Sequence, residues 1–147
     1  MISKSEILCS RRRQMLTGLS IGFGLWWGTY TLLSFYPGIK NQTWLFILLM
    51  LAGLGGWTWW MVNQVRMVRI SRELVNDPAS ARALNDELYR HIRMQSFTTG
   101  FIALLITQAL LYLVNMVHEL TVPNVININF LMGVLTPVIA FLVLDKE

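Results

Sequence analysis

Hydrophobic residues fill four long stretches of this chain, and charged residues collect between them. The first charge-free run extends from Gln14 to Ile39 and contains "MLTGLSIGFGLWWGTYTLLSFY" ahead of Pro37. The second covers Asn41 to Val65, the third Met94 to Val117 and the fourth Leu120 to Leu144. A helix needs about 20 apolar residues to cross about 30 Å of hydrocarbon. Lipid offers no partner to backbone N–H and C=O groups, so a run that crosses it must satisfy them internally, as a helix does. The pattern predicts an all-α membrane protein with four transmembrane helices, spanning about 15–36, 43–63, 95–117 and 123–144.

Helical spacing does not end where the second run meets its first arginine. Met67, Ile70 and Leu74 recur at intervals of three and four, and no Gly or Pro intervenes before Pro78. The second helix is therefore expected to continue to about Val75. Asp77 and Pro78 then supply a stop and a new start, because Pro disfavours helix in the residue before it and suits the first helical position. Ala81, Leu84, Leu88 and Ile92 form an apolar stripe that leads without a breaker into the third run. Helices 2 and 3 are thus predicted to extend into an antiparallel cytoplasmic hairpin over 64–94. Arms of about 12 to 15 residues would reach roughly 20 Å beyond the headgroups.

Charge sets the orientation. The 147-residue chain is 54% hydrophobic and 14% charged, against about 25% charged in a soluble domain. Lys4, Arg11, Arg12 and Arg13 precede the first run, and Arg66, Arg69, Arg72, Arg82, Arg90 and Arg93 occupy the middle connection. The first connection carries only Lys40, and the last, around His118 and Glu119, carries neither Lys nor Arg. The positive-inside rule then puts both termini and the middle connection in the cytoplasm. The net charge of +4 lies beside the spans, which favours anionic lipid headgroups at Arg11, Arg12 and Arg13 as partners over nucleic acid. "RRR" before an apolar stretch imitates a signal peptide, but the stretch is too long for one and is expected to be a retained span.

The charged tip invites two readings. Arg82–Asp86, Asp86–Arg90 and Glu87–His91 are four apart and are neighbours on a helix surface, so the charges serve to solvate the hairpin and set topology. Alternatively Asn85, Asp86, Glu87, Tyr89, Arg90 and His91, crowded into two turns, form a partner-docking surface. "DPASARALNDELYRHIR" followed by "MQSFTTGF" resembles a pattern in small uncharacterised bacterial multi-span membrane proteins: DP, a short helix, ALNDE, an arginine, then a span. Asp77, Pro78, Ala83, Leu84, Asn85, Asp86, Glu87 and Arg93 carry the likeness, which covers Asp77 to about Phe101. The resemblance implies a family with a fixed cytoplasmic motif and implies no activity.

Within the runs there is no ionisable acid, base or histidine, which argues against proton-coupled transport. Polar neutral residues do occur. Gln108 and Asn115 in the third run suit either an interhelical hydrogen bond or the lining of an oligomeric pore, and Thr107, Asn127 and Asn129 add to them. Gly18 and Gly22, Gly24 and Gly28, and Ala52 and Gly56 are small pairs four apart, expected to let a neighbouring helix approach within the bundle or across a dimer. Trp44, Trp57, Trp59 and Trp60 fall near span ends, where such rings anchor at the interface. Trp26 and Trp27 lie mid-span, either filling space opposite glycines or walling a lipid or other ligand. Pro137 is expected to kink the fourth span.

Catalytic signatures are lacking. There is no phosphate loop, GxGxxG, HExxH or nucleophile elbow. His91 and His118 fall on opposite sides of the membrane, Asp86 and Glu87 point about 100° apart on a helix, and Cys9 has no second cysteine. The expected function is therefore non-enzymatic and cofactor-free: an accessory, assembly or scaffold protein, self-associating or joining a larger membrane complex through the hairpin and glycine faces. The alternative is a homo-oligomeric pore or carrier for a neutral or lipid-like ligand.

Overall fold

The computed structural model of the protein describes residues 4–76 and 87–145. They form four α-helices: α1 (Lys4–Phe35), α2 (Thr43–Asn76), α3 (Glu87–Val117) and α4 (Val122–Leu144). Pro37 ends α1, since it cannot donate to the helix and disfavours helix at Tyr36. The chain then turns through a short 3-10 segment, Pro37–Asn41, closed by the Gln42 N–H donating to the Ile39 carbonyl at 2.9 Å. Arg66, Arg69 and Arg72 ride on α2, which is unbroken to Asn76. The link between α3 and α4 is tight. Asn115 Oδ1 accepts the Leu120 N–H at 2.8 Å, and Pro123 occupies the first turn of α4. Helix is retained across Pro137, whose ring lies against Gly100.

Successive helices run antiparallel. Gly18 meets Asn63, Gly22 meets Gly56 and Trp60, and Thr29 meets Gly53 along the α1–α2 seam. Gly100 meets Pro137 and Leu104 meets Gly133 along the α3–α4 seam. The two pairs join through α1 and α4, where Ser34 reaches Asn124, Trp27 reaches Asn127, and Arg12 reaches Phe141. The order of packed neighbours is α2–α1–α4–α3. α2 and α3 share no extensive packed face among the described residues. The turn between them falls at 77–86, outside the described residues.

Three helices, α2, α3 and α4, are long and apolar enough to cross a membrane. α1 has the length but not the hydropathy, a departure from the four equal spans expected from charge-free runs. Its 32 residues are diluted by glycine, serine, threonine and tyrosine. The cause is its position: packed between α2 and α4, it turns a smaller share of its surface outward. Four of its hydroxyls are also satisfied within the helix. Thr17, Ser20, Thr29 and Thr31 each donate to the carbonyl four residues earlier, at 2.6 to 3.0 Å.

The distribution of side chains is inverted relative to a water-soluble domain. Buried apolar residues are few, namely Met15, Leu19, Phe23 and Phe141, whereas Thr31, Asn63, Ser96, Thr107, Asn124 and Asn127 are all buried. Large apolar side chains of α2 and α3 face outward instead, among them Leu48, Leu51, Phe97, Phe101 and Leu105. Hydrocarbon tails solvate such side chains as well as a protein core does, so polar groups gain most from the interior, where they find partners.

Candidate functional site

Three constructions occupy the interior. The first is the glycine seam. A Cβ on Gly56 would stand 2.7 Å from the Trp26 N and the Leu25 Cβ, and one on Gly22 would stand 2.7 Å from the Trp60 N and 2.9 Å from the Gly56 carbonyl. These backbones touch, which only glycine allows. Gly18 makes room for Asn63, which is 1% exposed and donates through Nδ2 to the Trp59 carbonyl at 2.8 Å. Gly24 has only Leu135 nearby, at 3.7 Å, and Gly28 has nothing within 4 Å of a Cβ position. The close approach expected at the Gly24–Gly28 pair is thus not found inside this chain: the pair lies on a different face of α1 from the Gly18–Gly22 seam. Ala52 is half-buried on α2, and the neighbouring Gly53 faces Thr29.

The second construction is an aromatic and amide cluster between α1 and α4. Phe23 stacks on Trp27 at 6.0 Å with the rings 4° from parallel, and Trp27 packs on Phe130 at 4.6 Å. The Trp27 Nε1–H donates to the Asn127 carbonyl at 3.2 Å, and the Ser34 hydroxyl donates to Asn124 Oδ1 at 2.6 Å. Asn127 Nδ2 and Asn129 Oδ1 are buried and make no hydrogen bond among the described residues. Trp26 turns the other way, packing on Trp60 at 5.5 Å and lining a groove between α1 and α2 with Tyr30, Met50 and Trp57. The two adjacent tryptophans therefore do different things: Trp27 fills the α1–α4 contact, and Trp26 borders a groove.

The third is a cavity of about 370 Å³ at the end of the bundle that carries the start of α1, the end of α4 and the arginines of α2 and α3. All four helices contribute to it: Arg12, Met15 and Leu16 from α1, Met67 from α2, Arg93, Ser96 and Phe97 from α3, and Pro137, Val138 and Phe141 from α4. It exists because α2 and α3 do not close on each other there. Arg12 lays its guanidinium over the Phe141 ring, 4.8 Å from the centroid. Ser96 is buried and donates to the Arg93 carbonyl at 2.8 Å, which leaves the wall beneath the arginines apolar.

Other residues singled out in the sequence are scattered. Arg90 and His91 are exposed on the first turns of α3; Asn85, Asp86 and the side chains of Glu87 and Tyr89 lie outside the described residues, as does that of Cys9. Gln108 is exposed on α3, whereas Asn115 is engaged in the α3–α4 turn. Arg11 is exposed beside the half-buried Arg12 and Arg13. Sequence reasoning passed over Asn63, Ser34, Asn124 and Ser96. A lone amide or hydroxyl in an apolar run was the available signal, but its partner is set by helix pairing. The described residues contain no group of His, Cys, Asp and Glu able to hold a metal ion.

Three long apolar helices, polar groups turned inward and apolar ones outward define the class: a helical protein with the architecture of a multi-pass membrane protein. Compared with protein-family models, with curated proteins and with solved structures, the chain matches none.

Proposed function

We propose that the protein is a non-enzymatic accessory, assembly or scaffold protein of the bacterial inner membrane, crossing it four times with both termini and the α2–α3 connection in the cytoplasm. The observation that carries an assembly role is the outer face of α3, where Gln108 is exposed in mid-helix among Phe101, Leu105 and Tyr112. Lipid tails give an amide no hydrogen bond, whereas a second copy of the chain, or a helix of a larger complex, does. α1 is counted as the fourth span because it is charge-free after Arg13 and turns the hydroxyls of Thr17, Ser20, Thr29 and Thr31 onto its own carbonyls. The bacterial assignment rests on the resemblance of Asp77 to about Phe101 to small multi-span proteins. The hairpin would present Asn85 to His91 as a second docking surface. The cavity at the arginine-rich end favours a second reading, a carrier for a lipid-like ligand.

Affinity purification in mild detergent, read by mass spectrometry, tests the first reading. The wild type should bring down itself or a fixed membrane partner, and an Asp86→Asn, Glu87→Gln, Arg90→Gln triple variant should lose the partner bound through the hairpin. Retention of every partner by that variant would end the docking role. Topology is tested separately by thiol labelling of Ser80→Cys in a Cys9→Ser background: labelling from the periplasmic side would overturn the orientation.

A further inference from the structure

We infer that the partner of α3 is a second copy of the chain, packed side by side in the same orientation about a two-fold axis normal to the membrane, with its Gln108 amide paired to that of the first. This pair rests on the assembly reading above and adds to it the partner and the register. α3 lies at one edge of the bundle: among the described residues its one extensive contact is with α4. Its serines, threonines and asparagine already have partners. Ser96, Thr98, Thr99 and Thr107 donate to carbonyls three or four residues earlier, and Asn115 accepts the Leu120 N–H. Gln95 lies two residues from Arg93, at the edge of the run, where water is near. Gln108 is exposed and makes no hydrogen bond among the described residues. It stands about 21 Å along the axis from Met94 and about 14 Å from Val117, too deep for its side chain to reach headgroup water.

The chemistry selects a copy of the same chain. A primary amide carries two N–H donors and a carbonyl acceptor, so two identical amides facing each other satisfy both, as an isologous contact requires. The positive charges give every copy the same sense across the membrane, so residue 108 lies at the same depth in each and meets its counterpart directly. A foreign helix would have to bring an amide or hydroxyl of its own to that depth. The neighbours support the register. Phe101, Leu105, Gln108 and Tyr112 are four, three and four apart and all exposed, the alternating spacing by which two helices interlock at a crossing angle of about 20°. One polar position in such a seam fixes which residues face each other, since any slip along the axis leaves both amides in hydrocarbon. Asn129 of the same chain does not fill the role. The contacts of Gly100 with Pro137 and of Leu104 with Gly133 bring it level with Gln108 one turn further on, yet its Oδ1 is buried without a partner while Gln108 is exposed.

Cysteine crosslinking of the full chain in liposomes, in a Cys9→Ser background, tests this. Oxidation with copper phenanthroline should link Leu105→Cys and Tyr112→Cys into dimers. Leu110→Cys, at intermediate depth but exposed on the other flank of α3, should stay monomeric. Adding Gln108→Leu to Leu105→Cys should weaken association about 3- to 20-fold, the range that interhelical hydrogen bonds supply. Gln108→Asn, which keeps the amide, should retain the dimer, and Asn129→Leu should leave the links unchanged. Equal linking at position 110, no linking at 105 and 112, or links indifferent to Gln108→Leu would overturn the pair. So would destabilisation of the monomer by Gln108→Leu that disappears in an Asn129→Leu background, which would place the bond inside one chain. If affinity purification recovers a membrane partner while no link forms, the two-fold pair fails and the assembly role stands; if it recovers no partner at all, the assembly role fails as well.

Discussion

Adding one methyl group at Gly56 should be among the most damaging small changes this protein can suffer, and the same change at Gly28 should be harmless. A Cβ on Gly56 would lie 2.7 Å from two atoms, the Trp26 backbone N and the Leu25 Cβ. That falls about 0.8 Å short of the ~3.5 Å separation at which heavy atoms attract best. The obstacle is mostly backbone, so no rotamer change relieves it, and α1 and α2 must part. A gap of 0.5–1 Å forfeits roughly a quarter to a half of the dispersion energy of the atoms it separates. The loss spreads along the seam from Gly18 to Gly53. Overpacking of this kind costs about 1–3 kcal/mol, and about 2 kcal/mol is expected for Gly56→Ala or Gly22→Ala. Gly28 has open space, so Gly28→Ala should be neutral or gain up to about 1 kcal/mol from the better helix propensity of alanine. Equilibrium unfolding in mixed micelles reports the difference, with tryptophan fluorescence following the contact between Trp26 and Trp60. The Gly22→Ala/Gly56→Ala double variant should cost less than the sum of its singles, because one separation of the helices relieves both clashes. If Gly56→Ala and Gly28→Ala prove equally stable within about 0.5 kcal/mol, the seam as described is wrong.

Three further outcomes follow from the same packing. Gly18→Ala would push a carbon to 2.7 Å from the buried Asn63 side chain and destabilise the protein, and Asn63→Ala should rescue it, a positive coupling of about 1 kcal/mol in a double-mutant cycle. Ser34→Ala strips Asn124 Oδ1 of its donor and should cost about 1 kcal/mol in the same unfolding assay; an unchanged midpoint would mean that the 2.6 Å hydrogen bond is not formed in the membrane. Gln108→Leu should leave the folded monomer intact and weaken self-association by about 0.6–1.7 kcal/mol, read by energy transfer between labelled copies in bilayers; unaltered association would remove the outer face of α3 as an interface.

The four long helices of the described residues could be read directly from the chain. Pro37 is a local signal, and local backbone chemistry acts on it wherever the helices later go. The charge-free runs foretold four helices able to cross a membrane, and three of the described helices have the length and hydropathy for it, since hydropathy is a sum over neighbours in sequence. α1 shows the limit of that sum. Its glycines and hydroxyls depress its hydropathy, and only the structure explains them, as the surface of a helix packed on two sides and bonded to its own carbonyls.

Pairing was decided elsewhere. Small residues four apart occur at Gly18–Gly22 and at Gly24–Gly28 alike, yet only the first pair is tightly packed, Gly18 on the Asn63 side chain and Gly22 on the α2 backbone, because which face of α1 turns to α2 depends on both helices together. The same holds for Asn63 against Gly18 and Asn124 against Ser34, partners from different helices. The cavity is the clearest case. Arg12 and Arg93 looked like topology signals because each lies at the edge of its own run. They converge only because α1 and α4 sit at the centre while α2 and α3 are held apart on either flank. A sequence records what each stretch of chain prefers to be solvated by; where two stretches meet is settled by the fit of their surfaces, and that fit exists only once all four helices are in place.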